Sequence, residues 1–198
     1  MLLRRPLSFA ALIAVAVILV IGLVARLAML GGHNHGALIG GPFSLVDGDG
    51  KTVTDADFRG RYMLVYFGYT FCPDVCPTTL ADEAAALGKL PPAEAARIQP
   101  LFITVDPERD TPKVVKSYAA AFYPRMIGLT GSVAQISAVE RAYKVYAAKA
   151  SDGKGGYSMD HSSIIYLMGP DGRFLAHFAH GVSVDQMAAQ LHKYVSGS

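Results

Sequence analysis

Met63-Leu64-Val65-Tyr66-Phe67 is an uninterrupted apolar run of strand length. A strand with no polar face has to be covered on both sides, which points to the inside of an α/β sheet. Leu101-Phe102-Ile103-Thr104-Val105 reads as a second buried strand, and residues 163–168 as a third. Between the first two, residues 78–90 are rich in Ala and Leu and read as a helix stopped by Pro91-Pro92. Thr111 followed by Pro112 starts a second predicted helix running to about Phe122. Ser132 with Gln135 makes a capping box for a third, running to about Tyr146. Ser183 with Gln186 does the same for the last, whose apolar face is Val184, Met187, Ala188, Leu191 and Val195. Asp47-Gly48-Asp49-Gly50 turns an early hairpin between residues 43–46 and 52–54, and Gly169-Pro170-Asp171-Gly172 turns a late one returning through residues 174–178. The expected architecture is a mixed central sheet with helices on both sides. In such sheets chemistry gathers at the carboxyl ends of the buried strands.

Residues 6–25 carry no charged side chain, and twenty helical residues span about 30 Å, the thickness of a bilayer's hydrocarbon core. Arg4 and Arg5 precede the run and predict a cytoplasmic N-terminus, with the rest of the chain exported. A cleaved signal peptide normally has a shorter apolar core and a small-residue cleavage pattern, which Ala25-Arg26-Leu27 does not provide. The expected organisation is therefore an anchor over residues 1–30, a glycine-rich linker over 31–41 and a folded body over 42–198. His33 and His35 in the linker are weak metal-ligand candidates and read more simply as polar spacers.

The anchor also distorts the overall charge. The chain is formally +2, but residues beyond 37 carry 15 Lys and Arg against 16 Asp and Glu. A body of net charge −1 lacks the basic footprint that nucleic-acid binding requires. The chain has only two cysteines, too few for a disulfide scaffold.

Both cysteines lie in Phe71-Cys72-Pro73-Asp74-Val75-Cys76-Pro77, just past the first buried strand. On a turn of helix, positions i and i+4 share a face, with Cβ atoms about 5–6 Å apart. That spacing admits two thiolates on one metal ion, or a disulfide after small adjustment. A helix N-terminus is expected to lower the thiol pKa. Thiolates are both soft metal ligands and exchange nucleophiles, so spacing alone does not choose between metal and redox chemistry. An inert disulfide would close too short a loop to stabilise much.

His161, in the segment leading to the third buried strand, is the candidate third ligand. Two thiolates and an imidazole suit Cu(I) and tolerate Cu(II), whereas zinc prefers a fourth ligand or an open water position. The plainer reading of His161 is a hydrogen-bonding loop residue. Asp160 beside it either orients the ring or faces water. Arg109 and Asp110 read as a local salt-bridged turn after the second strand, with a partner surface as the alternative.

The strand–FCPDVCP–helix unit, the VDPERDTP loop at 105–112 and the YSMDHSSIIYLMGPDG segment at 157–172 resemble the Sco/SenC family. The resemblance covers roughly residues 40–195, and the anchor fits it. It implies a thioredoxin-like three-layer α/β fold with an N-terminal transmembrane helix. It also implies one copper ion per chain on Cys72, Cys76 and His161, in a protein that helps assemble the binuclear copper centre of cytochrome c oxidase. The implied partners are the copper-bearing oxidase subunit and a periplasmic copper donor or thiol reductant. The implied location is the inner membrane, single-pass, with the body in the periplasm.

Family members are described both as copper donors and as thiol reductants, so the division between these roles stays open, as does whether the chain is an enzyme. A general thiol–disulfide oxidoreductase is disfavoured: three residues rather than two separate the cysteines. The cis-proline typical of thioredoxins has no counterpart near His161, the nearest proline being Pro170. A copper or redox sensor signalling through the anchor is the third class.

Overall fold

The computed structural model describes residues 39–197 except 152 and 154, together with Val17 and Leu19. The predicted span over 6–25 and both linker histidines, His33 and His35, lie outside the described residues apart from Val17 and Leu19. Among the described residues no helix is long and apolar enough to cross a membrane.

Over residues 39–197 nine strands and five α-helices follow in order, with a short 3-10 turn at Asp55–Phe58 after the second strand. They are β1 (Ser44–Asp47), β2 (Thr52–Thr54), β3 (Tyr62–Gly68), α1 (Val75–Gly88), α2 (Pro92–Arg97), β4 (Ile98–Thr104), α3 (Pro112–Phe122), β5 (Ile127–Thr130), α4 (Val133–Tyr143), β6 (Ala147–Ser151), β7 (Tyr157–His161), β8 (Ile164–Met168), β9 (Phe174–Ala179) and α5 (Val184–Ser196). Seven strands form one sheet in the order β2-β1-β5-β4-β3-β8-β9, and β6 and β7 form a separate hairpin. β3, β4 and β5 run parallel, while β8 runs antiparallel to β3 and β9 antiparallel to β8. The sheet is mixed, as the alternation of strands and helices requires.

Every residue of β3 and of β4 is buried. This agrees with their largely apolar sequences, since the sheet's middle has no solvent face. β4 starts three residues earlier than expected and passes through Pro100. β5 reaches back only to Leu101, so Pro100 lies where β4 is paired on one side alone. A missing N–H is tolerated at such a position. Both capping boxes form: Ser132 and Ser183 each accept the N–H of the glutamine three residues on, whose side chain returns to the serine. Thr111 flanks α3 as expected, but its side chain makes no capping hydrogen bond. The helix begins on Pro112 alone.

Two expectations need correction. α4 ends at Tyr143 rather than Tyr146, because Lys144 turns left-handed at φ 59° and closes the helix. The segment before the third buried strand is no loop, since Tyr157–His161 pairs with Ala147–Ser151 as β7 and β6. The helix before Pro91-Pro92 stops as expected, and a short helix not anticipated from the sequence, α2, starts there with Pro92 in its first turn. α1 and α5 lie against each other, and α3 lies along β5. Gly40 is tied to the body by an N–H bond to the Ala142 carbonyl (2.9 Å).

Candidate metal centre

The buried strand β3 ends at Gly68, and the chain turns through Tyr69–Phe71 to Cys72 before α1 begins. Cys72 therefore sits in the turn, not on the helix as the i, i+4 reading expected. Its sulfur is brought back by accepting the Cys76 N–H at 3.3 Å. This satisfies one of the free N–H groups at the start of α1, where the N-cap residue Asp74 makes no side-chain cap. Cys76 is on the first turn and fully buried, Cys72 is half-buried, and both are free thiols.

His161 closes β7 and points Nε2 at the Cys76 sulfur, 3.4 Å away. Its Nδ1 lies 3.1 Å from the Ser162 carbonyl oxygen. A carbonyl only accepts, so Nδ1 carries the proton and the Nε2 lone pair faces the sulfurs. The Cys72 and Cys76 sulfurs and a His161 nitrogen all lie within 4.8 Å of one another. Tyr69 stands edge-on to the imidazole at 5.7 Å and Tyr66 at 6.3 Å. These rings fix the His161 plane from within the core. Asp160, on the other face of β7, is exposed; the orienting hydrogen bond comes from the Ser162 carbonyl instead.

Burial decides the site's electrostatics. The Cys76 thiol is pushed up to about 12 by loss of solvent, against a smaller opposing contribution from a backbone hydrogen bond with Tyr69. The expectation that the helix N-terminus lowers this thiol's pKa is overturned, because desolvation outweighs the backbone N–H groups. Burial likewise lowers the His161 pKa, keeping the ring neutral and fit to donate a lone pair. The Tyr66 hydroxyl is raised far above its ordinary range by burial, with Cys76 adding to it. Cys76 and His161 are thus held neutral by burial until a cation enters; a coordinated thiol gives up its proton.

A groove bordered by Tyr69, Cys72, Asp74, Met159 and His161 opens the cluster to solvent. Behind it, Gly68 makes room for the buried thiol. A Cβ there would stand 3.0 Å from the Cys76 sulfur and 2.8 Å from the Tyr66 ring.

Asp110 supports the turn from below. Its carboxylate accepts the Thr70 N–H (3.0 Å), the Thr70 hydroxyl (2.6 Å) and the Thr104 hydroxyl (2.6 Å), and it is fully buried. Arg109 pairs locally with Asp106, so the salt-bridged turn exists, but Asp110 is not part of it. Gly68 carries no sequence signal that marks it as part of the site, and Asp110, although within the 105–112 motif, is shown to brace the Cys72 turn only by the packing.

A mixed sheet with two cysteines after its buried strand β3 and a histidine brought beside them defines a thioredoxin-like domain with a candidate soft-metal site. The model of the SCO1/SenC family matches residues 31–196. The chain belongs to that family. It is 44% identical over 151 residues to the mitochondrial SCO1 homolog 1 of Arabidopsis thaliana, covering 76% of this chain and 45% of that protein. The chain spans about half the length of the curated relatives it matches. The structure of Bradyrhizobium japonicum ScoI with copper bound is similar at TM-score 0.72 and 46% identity, covering 79% of this chain and 99% of that one. BsSco, described as a member of the Sco family of cytochrome c oxidase assembly proteins with a disulfide switch, is similar at TM-score 0.63 and 27% identity. It covers 81% of this chain and 95% of that one.

Proposed function

We propose that this chain is a copper chaperone that binds one copper ion through Cys72, Cys76 and His161 and serves the assembly of cytochrome c oxidase. The observation that carries the reading is the convergence of two free thiols and a neutral imidazole within 4.8 Å. Soft sulfur donors select Cu(I), and the imidazole keeps Cu(II) acceptable. Among the described residues three donors converge, with Cys72 half-buried at the groove. An incoming thiolate from an acceptor protein has room to approach there and replace the ligands one at a time. Copper in this reading is cargo. The copper-bound ScoI relative and the oxidase-assembly description of BsSco support it.

The same reading places the uncharged segment 6–25 in the inner membrane, uncleaved, and the body in the periplasm, where an oxidising compartment suits a close thiol pair. A dedicated thiol reductant for the oxidase subunit is the second reading. It is favoured by the two free thiols and by the disulfide switch described for BsSco.

The test is to load the purified full chain with Cu(I) and with Cu(II), then measure metal content and absorption. One copper per chain with thiolate-to-copper charge-transfer bands for Cu(II) supports the chaperone. Absence of stable copper binding removes it. Rapid reduction of a cysteine-bearing oxidase-subunit peptide by the metal-free chain supports the second reading.

A further inference from the structure

The β6–β7 hairpin that carries His161 has no strand pairing to the main sheet. Side chains do much of the work of holding it, and Arg109 is at their centre. Its Nη1 donates to the Tyr157 carbonyl at 3.0 Å, and its Nε donates to the Asp106 carboxylate. The Tyr157 hydroxyl donates to the other oxygen of that carboxylate at 2.9 Å, so one buried acid grips both partners. The guanidinium carbon lies 3.8 Å from the Tyr157 ring centroid, 4.7 Å from that of Phe71 and 5.8 Å from that of Tyr69. Tyr157 opens β7 and His161 closes it; Phe71 immediately precedes Cys72. Tyr69, the third ring, is also the one against the His161 imidazole. A planar cation between these rings ties the segment bearing one proposed ligand to the segment bearing another.

We propose that Arg109 is a positioning residue for copper: its guanidinium clamps the His161 hairpin to the Cys72 turn and so holds the third donor at ligating distance. The inference rests on the copper reading above and adds to it a residue that touches neither metal nor ligand. Support of this indirect kind typically governs metal affinity by about 10- to 100-fold. Lysine cannot replace it, since a point charge retains the pairing with Asp106 but loses the planar stack and the bond to the Tyr157 carbonyl. The exposed Lys149–Glu108 pair (2.7 Å) is a second, weaker tie on the same hairpin.

The experiment compares the full chain with Arg109→Gln, Arg109→Lys, Tyr157→Phe and Tyr157→Ala. Copper affinity is read by competition, the Cu(II) site by electron paramagnetic resonance, and the hairpin by amide hydrogen exchange without metal. The clamp predicts that Arg109→Gln and Tyr157→Ala each weaken Cu(II) about 10- to 100-fold, perturb nitrogen coupling to Cu(II) and speed exchange across β7. Arg109→Lys falls in between, and Tyr157→Phe, which keeps the ring, stays close to the parent. Parental affinity and spectrum in folded Arg109→Gln overturn the proposal. If that variant does not fold, parental behaviour of Tyr157→Ala overturns it instead. Failure of the parent chain to bind copper sinks the copper reading alone; β7 exchange then still decides whether the clamp exists.

Discussion

The Cys76 sulfur lies 3.4 Å from Nε2 of His161, a residue 85 positions further along the chain. Neither group is placed by local structure alone. Cys76 stands at the start of α1, packed under Gly68, and His161 ends a hairpin outside the main sheet. Their contact is a product of the whole fold, and the consequences below follow from it.

Removing the imidazole should separate the two copper oxidation states. His161→Ala is expected to weaken Cu(II) binding much more than Cu(I), because two thiolates suffice for Cu(I) while Cu(II) benefits from a nitrogen donor. Competition titrations with each ion check this. Unchanged Cu(II) affinity and absorption in the variant would take His161 out of the site.

The two thiols should be equal for metal and unequal for packing. Cys72→Ser and Cys76→Ser are each expected to abolish stable copper binding. Cys72 is half-buried, and a serine oxygen can still accept the Cys76 N–H, so the metal-free stability of Cys72→Ser should stay within about 0.5 kcal/mol of the parent. Cys76 is fully buried in apolar surroundings, and a hydroxyl there should cost about 1–3 kcal/mol. Urea unfolding of the metal-free variants reads the difference, and full copper retention by either would refute paired thiolate binding.

Gly68→Ala tests the room behind the site. The added methyl meets the Tyr66 ring, the Cys76 sulfur and the Phe102 ring at 2.8–3.1 Å, so one of them must move. Overpacking of this kind costs about 1–3 kcal/mol. Copper affinity should fall as Cys76 is displaced, and parental stability and affinity together would show that the wall yields freely.

Glu83 should destabilise the fold at neutral pH. It is fully buried on the same side of α1 as Cys76, with both carboxylate oxygens unpartnered, and burial raises its pKa well above the ordinary 4.5. The folded chain keeps this proton where the unfolded chain releases it. Stability therefore falls as pH rises from about 4.5 toward the raised value, by up to about 1.4 kcal/mol per pH unit. Glu83→Leu is expected to stabilise the protein at pH 8 by about 1–3 kcal/mol and to flatten the profile. Unfolding at pH 5 and pH 8 measures both, and copper affinity should not change.

Much of this was legible in residues 39–197 because it is local. Largely apolar runs marked β3, β4 and β8, since a buried strand leaves few polar positions to spare. Ser132 with Gln135 and Ser183 with Gln186 announced two helix starts, because a capping box is complete within four residues. The FCPDVCP spacing and the Asp160-His161 pair pointed to the three candidate donors through the family they resemble, and the fold brings those three side chains together.

What the chain could not announce depends on long-range contact. β6, Ala-Ala-Lys-Ala-Ser, has little strand propensity and exists only because β7 pairs with it, so His161 read as a loop residue. Cys72 read as helical because its return to the Cys76 N–H comes from a folded turn that spacing cannot reveal. The raised Cys76 pKa reverses the local dipole argument, as desolvation is set by Tyr66, Gly68 and Phe102 packing around the sulfur. The sequence determined the elements and the donor types, whose causes lie within a few residues. Only the tertiary structure decided the distances and charges at the site, because burial is a property of the assembled core.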